Sequence, residues 1–165
     1  MTLIRILGID PGFDRLGVCI LDKDGNKEKV VTSLGIITSK TEAFEDRLLY
    51  LANGVEKLIK EYNPNHLAIE TLFVTKNQKT AMLVACVRGV IIYLCKKHGL
   101  GVFEYSPPQI KLAITGYGQA KKEDVAYMVS KILRTPLDKK QLDDEVDAIA
   151  IALTHSAHYK ARFWK

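Results

Sequence analysis

The chain has only three cysteines, Cys19, Cys86 and Cys95, an odd number with no C-x-x-C spacing. That excludes a disulfide framework and a zinc ribbon, and reads as buried, reduced thiols in a reducing compartment. No uncharged apolar stretch approaches 18 residues, because Arg88 interrupts the run after Lys79, and the start MTLIRILGID has no signal-peptide apolar region. A cytoplasmic protein with no membrane partner is expected. The four histidines, His66, His98, His155 and His158, include no H-E-x-x-H pair. His155 and His158, at i,i+3 near the end of the last helix, read as capping or surface residues. No repeat, low-complexity tract or linker divides the sequence, so residues 1–165 read as one domain, with 158–165 as a basic, aromatic tail.

What is present suits a packed enzyme-sized domain. The 165 residues are 47% hydrophobic and 26% charged, with mean hydropathy near zero, which excludes a disordered or collagen-like chain. The net charge of +5 is unevenly placed. Residues 1–70 carry 9 basic and 11 acidic side chains, and residues 123–165 carry 7 of each. Residues 71–122 carry 8 basic side chains and one acid, Glu104. A basic middle flanked by acids suits an anionic polymer held against carboxylates, or more simply a solvated lysine-rich surface.

Leu3 to Asp10 is a nearly continuous apolar strand ended by Pro11-Gly12. Gly17 to Asp22 is a second strand, joined through the hairpin signal Asp24-Gly25-Asn26 to a third at about Lys29 to Thr38. The period then changes. Phe44, Leu48, Leu51, Val55, Leu58 and Tyr62 fall at helical spacing, with Ser39 and Glu42 as a capping box. Strands follow at His66 to Glu70 and Gly101 to Tyr105, separated by an apolar helix from Gln78 to His98 with Gly99 as its cap. Ser106-Pro107-Pro108 opens a short helix. Further helices are predicted over Glu123 to Arg134, ended by Pro136, and Asp144 to His158. The order β-β-β-α-β-α-β-α-α-α predicts an α/β domain. Its five-stranded mixed sheet has three antiparallel strands, then two parallel ones, with helices on both faces.

Asp10 and Glu70 each close an apolar strand, at the ends where α/β sheets form ligand sites. Like charges placed side by side need a cation or a shared proton. The last helix begins DDEVD, where Asp143 with Asp147, or Asp144 with Asp147, shares a face. Acids also suit a helix N-terminus, so the run has an ordinary electrostatic reading. The apolar AIAIAL that follows argues that this end packs on the sheet. Hard oxygen donors without histidine or cysteine suit magnesium or manganese, and paired ions suit phosphodiester hydrolysis.

The segments ILGIDPG, AIE followed by TLFVTKN, GYGQAKKEDV and DDEVDAIAIALTH, in this order and spacing, resemble the bacterial RuvC-type Holliday-junction resolvases. The likeness spans essentially the whole chain. It implies a ribonuclease H-like fold and a homodimeric endonuclease that nicks two strands of a four-way junction in recombination and repair. It implies Asp10, Glu70, Asp144 and Asp147 as the metal-binding catalytic acids, since D-x-x-D-A-x-A-I-A aligns Asp144 rather than Asp143. It implies two Mg2+ ions per site, with Mn2+ able to substitute, and hydrolysis leaving 5′-phosphate and 3′-hydroxyl ends. Phe73 matches an aromatic that stacks against a base, and Lys111 and Lys122 match basic residues near the cleaved phosphate, with Lys121 adjacent. Lys76, Lys79 and Arg88 are candidate backbone contacts. The helix 78–98 is the implied dimer element, a branch-migration motor complex is an implied partner, and the nucleoid is the implied place of action.

Three other readings compete. An actin-like ATPase shares GIDPG but needs a second phosphate loop and about twice this length. A silent junction-binding protein gives no reason to bury four acids. A ribonuclease acting on RNA–DNA hybrid would share the acids, and only the Phe73 loop, the basic loop and the helix between them argue for junction DNA.

Overall fold

The computed structural model describes residues 3–72, 78–134 and 143–161. An antiparallel meander opens it: β1 (Ile4–Asp10), β2 (Arg15–Asp24) and β3 (Lys27–Ile37). Gly25, at φ 57°, makes the hairpin that the sequence signals. Helix α1 (Phe44–Tyr62) crosses to β4 (His66–Glu70), and α2 (Gln78–Lys97) crosses to β5 (Gly101–Tyr105). Both strands run parallel to β1, giving the order β3-β2-β1-β4-β5. Three helices close the chain: α3 (Pro107–Thr115), α4 (Lys122–Leu133) and α5 (Asp143–Ala161). The mixed five-stranded sheet is the one predicted.

Period-two alternation sends each strand to two different cores. Leu7, Ile9, Leu67 and Ile69 face α1 and α2, where Leu51, Val55, Val87 and Ile91 meet them. Ile6, Ala68 and Tyr105 face the other layer, with Ile110, Val125 and the run Ala148–Leu153. By the same alternation Asp10 and Glu70 fall on the α5 face. Ile9 pairs with Ile69, so the next residue of each strand ends it beside its neighbour.

Helix α5 packs closely against the sheet, and glycine makes this possible. A Cβ at Gly8 would collide with the Ala148 carbonyl oxygen and sit 2.8 Å from the Ala152 Cβ. Small residues on both elements let backbone meet backbone, and residues 146–156 of the helix are almost wholly buried.

Some expectations need correction. Ser39 and Glu42 do not cap α1; the helix begins one turn later at Phe44, with Ala43 as an N-cap that makes no side-chain bond. The capping box occurs instead at α3, where the Gln109 carboxamide oxygen accepts from the Ser106 backbone and hydroxyl. Cys19 and Cys95 are buried as expected, but Cys86 is exposed, because it lies on the side of α2 turned away from the core. His155 is not a surface residue: it is 1% exposed, with Nδ1 2.7 Å from the Tyr105 hydroxyl and Nε2 3.0 Å from His66 Nδ1. Arg88 is committed within the fold, pairing with Glu104 at 2.5 Å. Despite Arg88, α2 is long and apolar enough to cross a membrane, yet Val87, Ile91 and Cys95 pack into the sheet core. The expected tail begins inside α5, which continues to Ala161; residues 162–165 and Pro136 lie outside the described residues.

Candidate active site

Asp10 and Glu70 end β1 and β4, and Asp144 and Asp147 in the first turns of α5 lie near enough to act electrostatically on Asp10. Burial is the main force on Asp10, followed by the negative charges of Asp147, Glu70 and Asp144. Together they raise its carboxyl to about 7, against a smaller opposing pull from Lys122. Glu70 is raised in the same way by burial and then by Asp147, with Lys111 and Lys122 pulling down. Asp144 has a mostly covered side chain, whereas Asp143 is 78% exposed. The structure therefore turns Asp144 toward Asp10 and Asp143 toward solvent, a choice that helical spacing leaves open.

Each helix acid has a cation. Lys122 Nζ lies 2.8 Å from Asp147 and 3.7 Å from Asp143. Burial alone would lower this ammonium, but the Asp147 hydrogen bond and the charges of Asp147, Asp143 and Asp144 outweigh it and hold the pKa above the ordinary lysine value. Arg15 Nε lies 3.0 Å from Asp144 Oδ2. That oxygen is buried and has no hydrogen-bond partner among the described residues, so the guanidinium balances its charge without aiming an N–H at it. Among the described residues, no three His, Cys, Asp or Glu side chains converge closely enough to hold one ion as they stand.

Beside the acids lies a cavity of about 250 Å³ lined by Glu70, Asp147, Lys111, Lys122 and the apolar Ile110, Val125 and Ile151. Lys111 projects from α3 and Lys122 begins α4, so two helices bring their lysines to one wall. Lys121 is the N-cap of α4, its backbone N–H bonded to Asp124, and its exposed side chain is not part of the cavity lining. Lys79 is exposed on the first turn of α2 and likewise absent from that lining. Phe73 and Lys76 lie outside the described residues.

Three supporting residues escape sequence reasoning. Gly17 pairs with Asp10 across the β1–β2 ladder, and a Cβ there would strike the Asp144 carbonyl oxygen. Arg15 contacts Asp144 directly. Arg47, buried on α1, braces the turn that follows Asp10: it pairs with Asp14, donates to Thr38 Oγ1 at 2.9 and 3.1 Å, and lies 4.0 Å over the Phe13 ring. Thr38 in turn donates to the Phe13 carbonyl at 2.9 Å. The available signals were a charged residue amid the apolar positions of α1 and a glycine opposite a strand-end acid. Neither is specific without the fold.

A family model described as crossover junction endodeoxyribonuclease RuvC matches residues 6–155. The crossover junction endodeoxyribonuclease RuvC of Ruminiclostridium cellulolyticum is 43% identical over 155 residues, covering 94% of this chain and 93% of that protein. Among solved structures, Thermus thermophilus RuvC in complex with Holliday junction substrate superposes with TM-score 0.89 at 29% identity, covering 96% of each chain. The yeast mitochondrial Holliday junction resolvase Ydc2 superposes at 0.67 over 96% of this chain and 81% of its own, at 14% identity, a likeness of fold alone.

Proposed function

This chain belongs to the RuvC family of crossover junction endodeoxyribonucleases, and we propose that it resolves four-way DNA junctions by paired, symmetric phosphodiester hydrolysis. The observation that carries the reading is the convergence of Asp10, Glu70, Asp144 and Asp147 from two strand ends and one helix, beside a cleft walled by Lys111 and Lys122. Burying like charges together costs stability, so the arrangement makes sense as a place to receive cations.

The donors fit a divalent metal: hard carboxylate oxygens on rigid elements, one of them, Asp144 Oδ2, buried without a hydrogen bond among the described residues. Asp10, Glu70, Asp144 and Asp147 would hold two such ions, Mg2+ or Mn2+, which supply activation of water and charge neutralisation at the leaving oxygen. The protein's own groups do the rest. The strand ends fix Asp10 and Glu70 side by side. Lys122, placed by Asp147, presents an ammonium where negative charge grows on the phosphoryl group, and Lys111 offsets an adjacent phosphate. Phe73 stacks against a base near the crossover, while Lys76, Lys79 and Lys121 contact the backbone. The products are 5′-phosphate and 3′-hydroxyl ends.

Symmetric cutting needs two copies related by a two-fold axis. Helix α2 offers the surface, since Met82, Cys86, Gly89 and Tyr93 form an exposed stripe at spacings of four, three and four along one side. Met82 is 70% and Tyr93 64% exposed, and a Cβ at Gly89 would meet nothing. A second α2 covers this stripe in the proposed dimer, so Tyr93→Asp is expected to shift the protein to monomer in sedimentation. Residues 1–165 act as one nuclease domain in the cytoplasm, at the nucleoid, with a branch-migration motor as partner.

The test offers an immobile four-way junction, a linear duplex and an RNA–DNA hybrid with Mg2+, Mn2+ or chelator. Paired nicks on the junction alone, lost with chelator, support the proposal. Cutting of the hybrid would move the chain to ribonuclease chemistry on the same acids, and junction binding without cutting would leave a silent binder. Asp10→Asn, Glu70→Gln and Asp147→Asn are expected to abolish cleavage while retaining junction binding.

A further inference from the structure

The acids are flanked by cations from both directions along the sheet. Lys111 and Lys122 arrive from α3 and α4, beside Glu70 of β4. Arg15 arrives from the opposite side, at the first residue of β2, which borders β1 away from β4. Its backbone is fixed by pairing with Ile37 of β3, while its side chain is 47% exposed. The contact with Asp144 is close, at 3.0 Å, but the buried Oδ2 still lacks a hydrogen bond among the described residues. Arg15 therefore balances a charge without satisfying the acceptor, a poor partnership that a better ligand for that oxygen can displace.

We propose that Arg15 is an exchangeable counter-ion: it covers Asp144 in the free protein and, when a divalent cation takes that carboxylate, moves to a phosphate of the bound strand. The inference rests on the nuclease reading above and concerns a residue that reading leaves unassigned. Arg15 begins a strand whose next residues are held by the sheet, so its guanidinium can swing while its Cα stays in place. The freed group has five N–H donors suited to phosphate, and its half-exposed position lets it reach solvent without disturbing the core. Metal and DNA are thereby coupled, each favouring the binding of the other. In the free protein the Asp144 carboxylate is thus occupied by a side-chain cation until exchange.

The test compares wild type, Arg15→Gln and Arg15→Lys. Mn2+ binding to the DNA-free protein is followed by electron paramagnetic resonance of the free ion. Removing a competing cation is expected to tighten the weaker Mn2+ site roughly two- to fivefold in Arg15→Gln. The same substitution in an Asp144→Asn background is expected to change nothing. In a Glu70→Gln background that keeps the junction intact, Arg15→Gln is expected to reduce the salt dependence of junction binding with Mn2+ by about 0.9 in log–log slope, the signature of one lost phosphate contact. Arg15→Lys retains the wild-type slope. Unchanged or weaker Mn2+ binding in Arg15→Gln, or an unchanged slope, overturns the exchange. If wild type binds neither Mn2+ nor the junction, the nuclease reading fails and the exchange with it; if wild type binds both, only the role of Arg15 is at stake.

Discussion

Gly17 and Asp144 pack backbone against backbone: a Cβ on Gly17 would clash with the Asp144 carbonyl oxygen and lie 3.2 Å from the Asp10 Cβ. One glycine thus sets how closely the helix bearing two acids approaches the strand bearing a third. Gly17→Ala is expected to lift the start of α5, lowering single-turnover cleavage by roughly 10²-fold, the scale of a 1 Å misplacement. Stability should fall by about 1–3 kcal/mol in urea denaturation, with junction binding retained. Wild-type cleavage in this variant would separate the position of α5 from catalysis.

The Asp10 carboxyl, raised to about 7 by burial and by its acidic neighbours, binds a proton in the folded chain that the unfolded chain releases near 3.8. Between these values the folded state binds more protons, so this group's contribution to stability declines as pH rises from about 4 to 7. Without divalent metal, Asp10→Asn is expected to be more stable than wild type at pH 8, by up to about 4 kcal/mol. The two should converge toward pH 4. Chemical denaturation in chelator across this range checks it, and added Mg2+ should raise the melting temperature of wild type more than that of the variant.

Lys122 touches Asp147, whereas neighbouring Lys121 caps a helix with its side chain in solvent. Lys122→Gln is expected to lower the rate of cleavage by about 10²-fold. Lys121→Gln should change cleavage severalfold at most, and mainly through junction affinity at higher salt. Single-turnover rates at saturating protein separate the two, and equal losses would contradict the geometry.

Away from the acids, Tyr105, His155 and His66 form a chain of contacts of 2.7 and 3.0 Å between α5 and the sheet. Burial holds the His66 imidazole below the ordinary histidine value of 6.5. The unfolded chain therefore takes up a proton first, so stability is full above about 6.5 and declines as pH falls from there to the depressed folded value. His66→Gln is expected to flatten this decline below pH 6.5 in urea denaturation. An unchanged pH slope would assign it to other groups.

Order and type of elements were legible in the sequence because local physics fixes them. The alternation of β1, the Asp24-Gly25-Asn26 turn and the helical spacing of α1 each depend on residues near in sequence. The grouping of the four acids was legible too, since strand-end and helix-start positions are local features, and the motif order pointed to Asp144, which the fold turns inward. Boundaries were less so: α1 starts at Phe44 because tertiary contacts, not the Ser39–Glu42 pattern, decide where a helix becomes worthwhile.

Local pattern along the chain dictates a mixed α/β sheet carrying acids at two strand ends and a helix start, with a basic middle third. Which charges come together depends on the packed fold. Arg15 and Asp144 are 129 residues apart in the chain yet 3.0 Å apart in space. His155 passes for a surface residue until β4 and β5 close over it. Chain spacing carries no record of such pairings, because they arise where the sheet order and the close seating of α5 on Gly8 and Gly17 bring distant backbones into register.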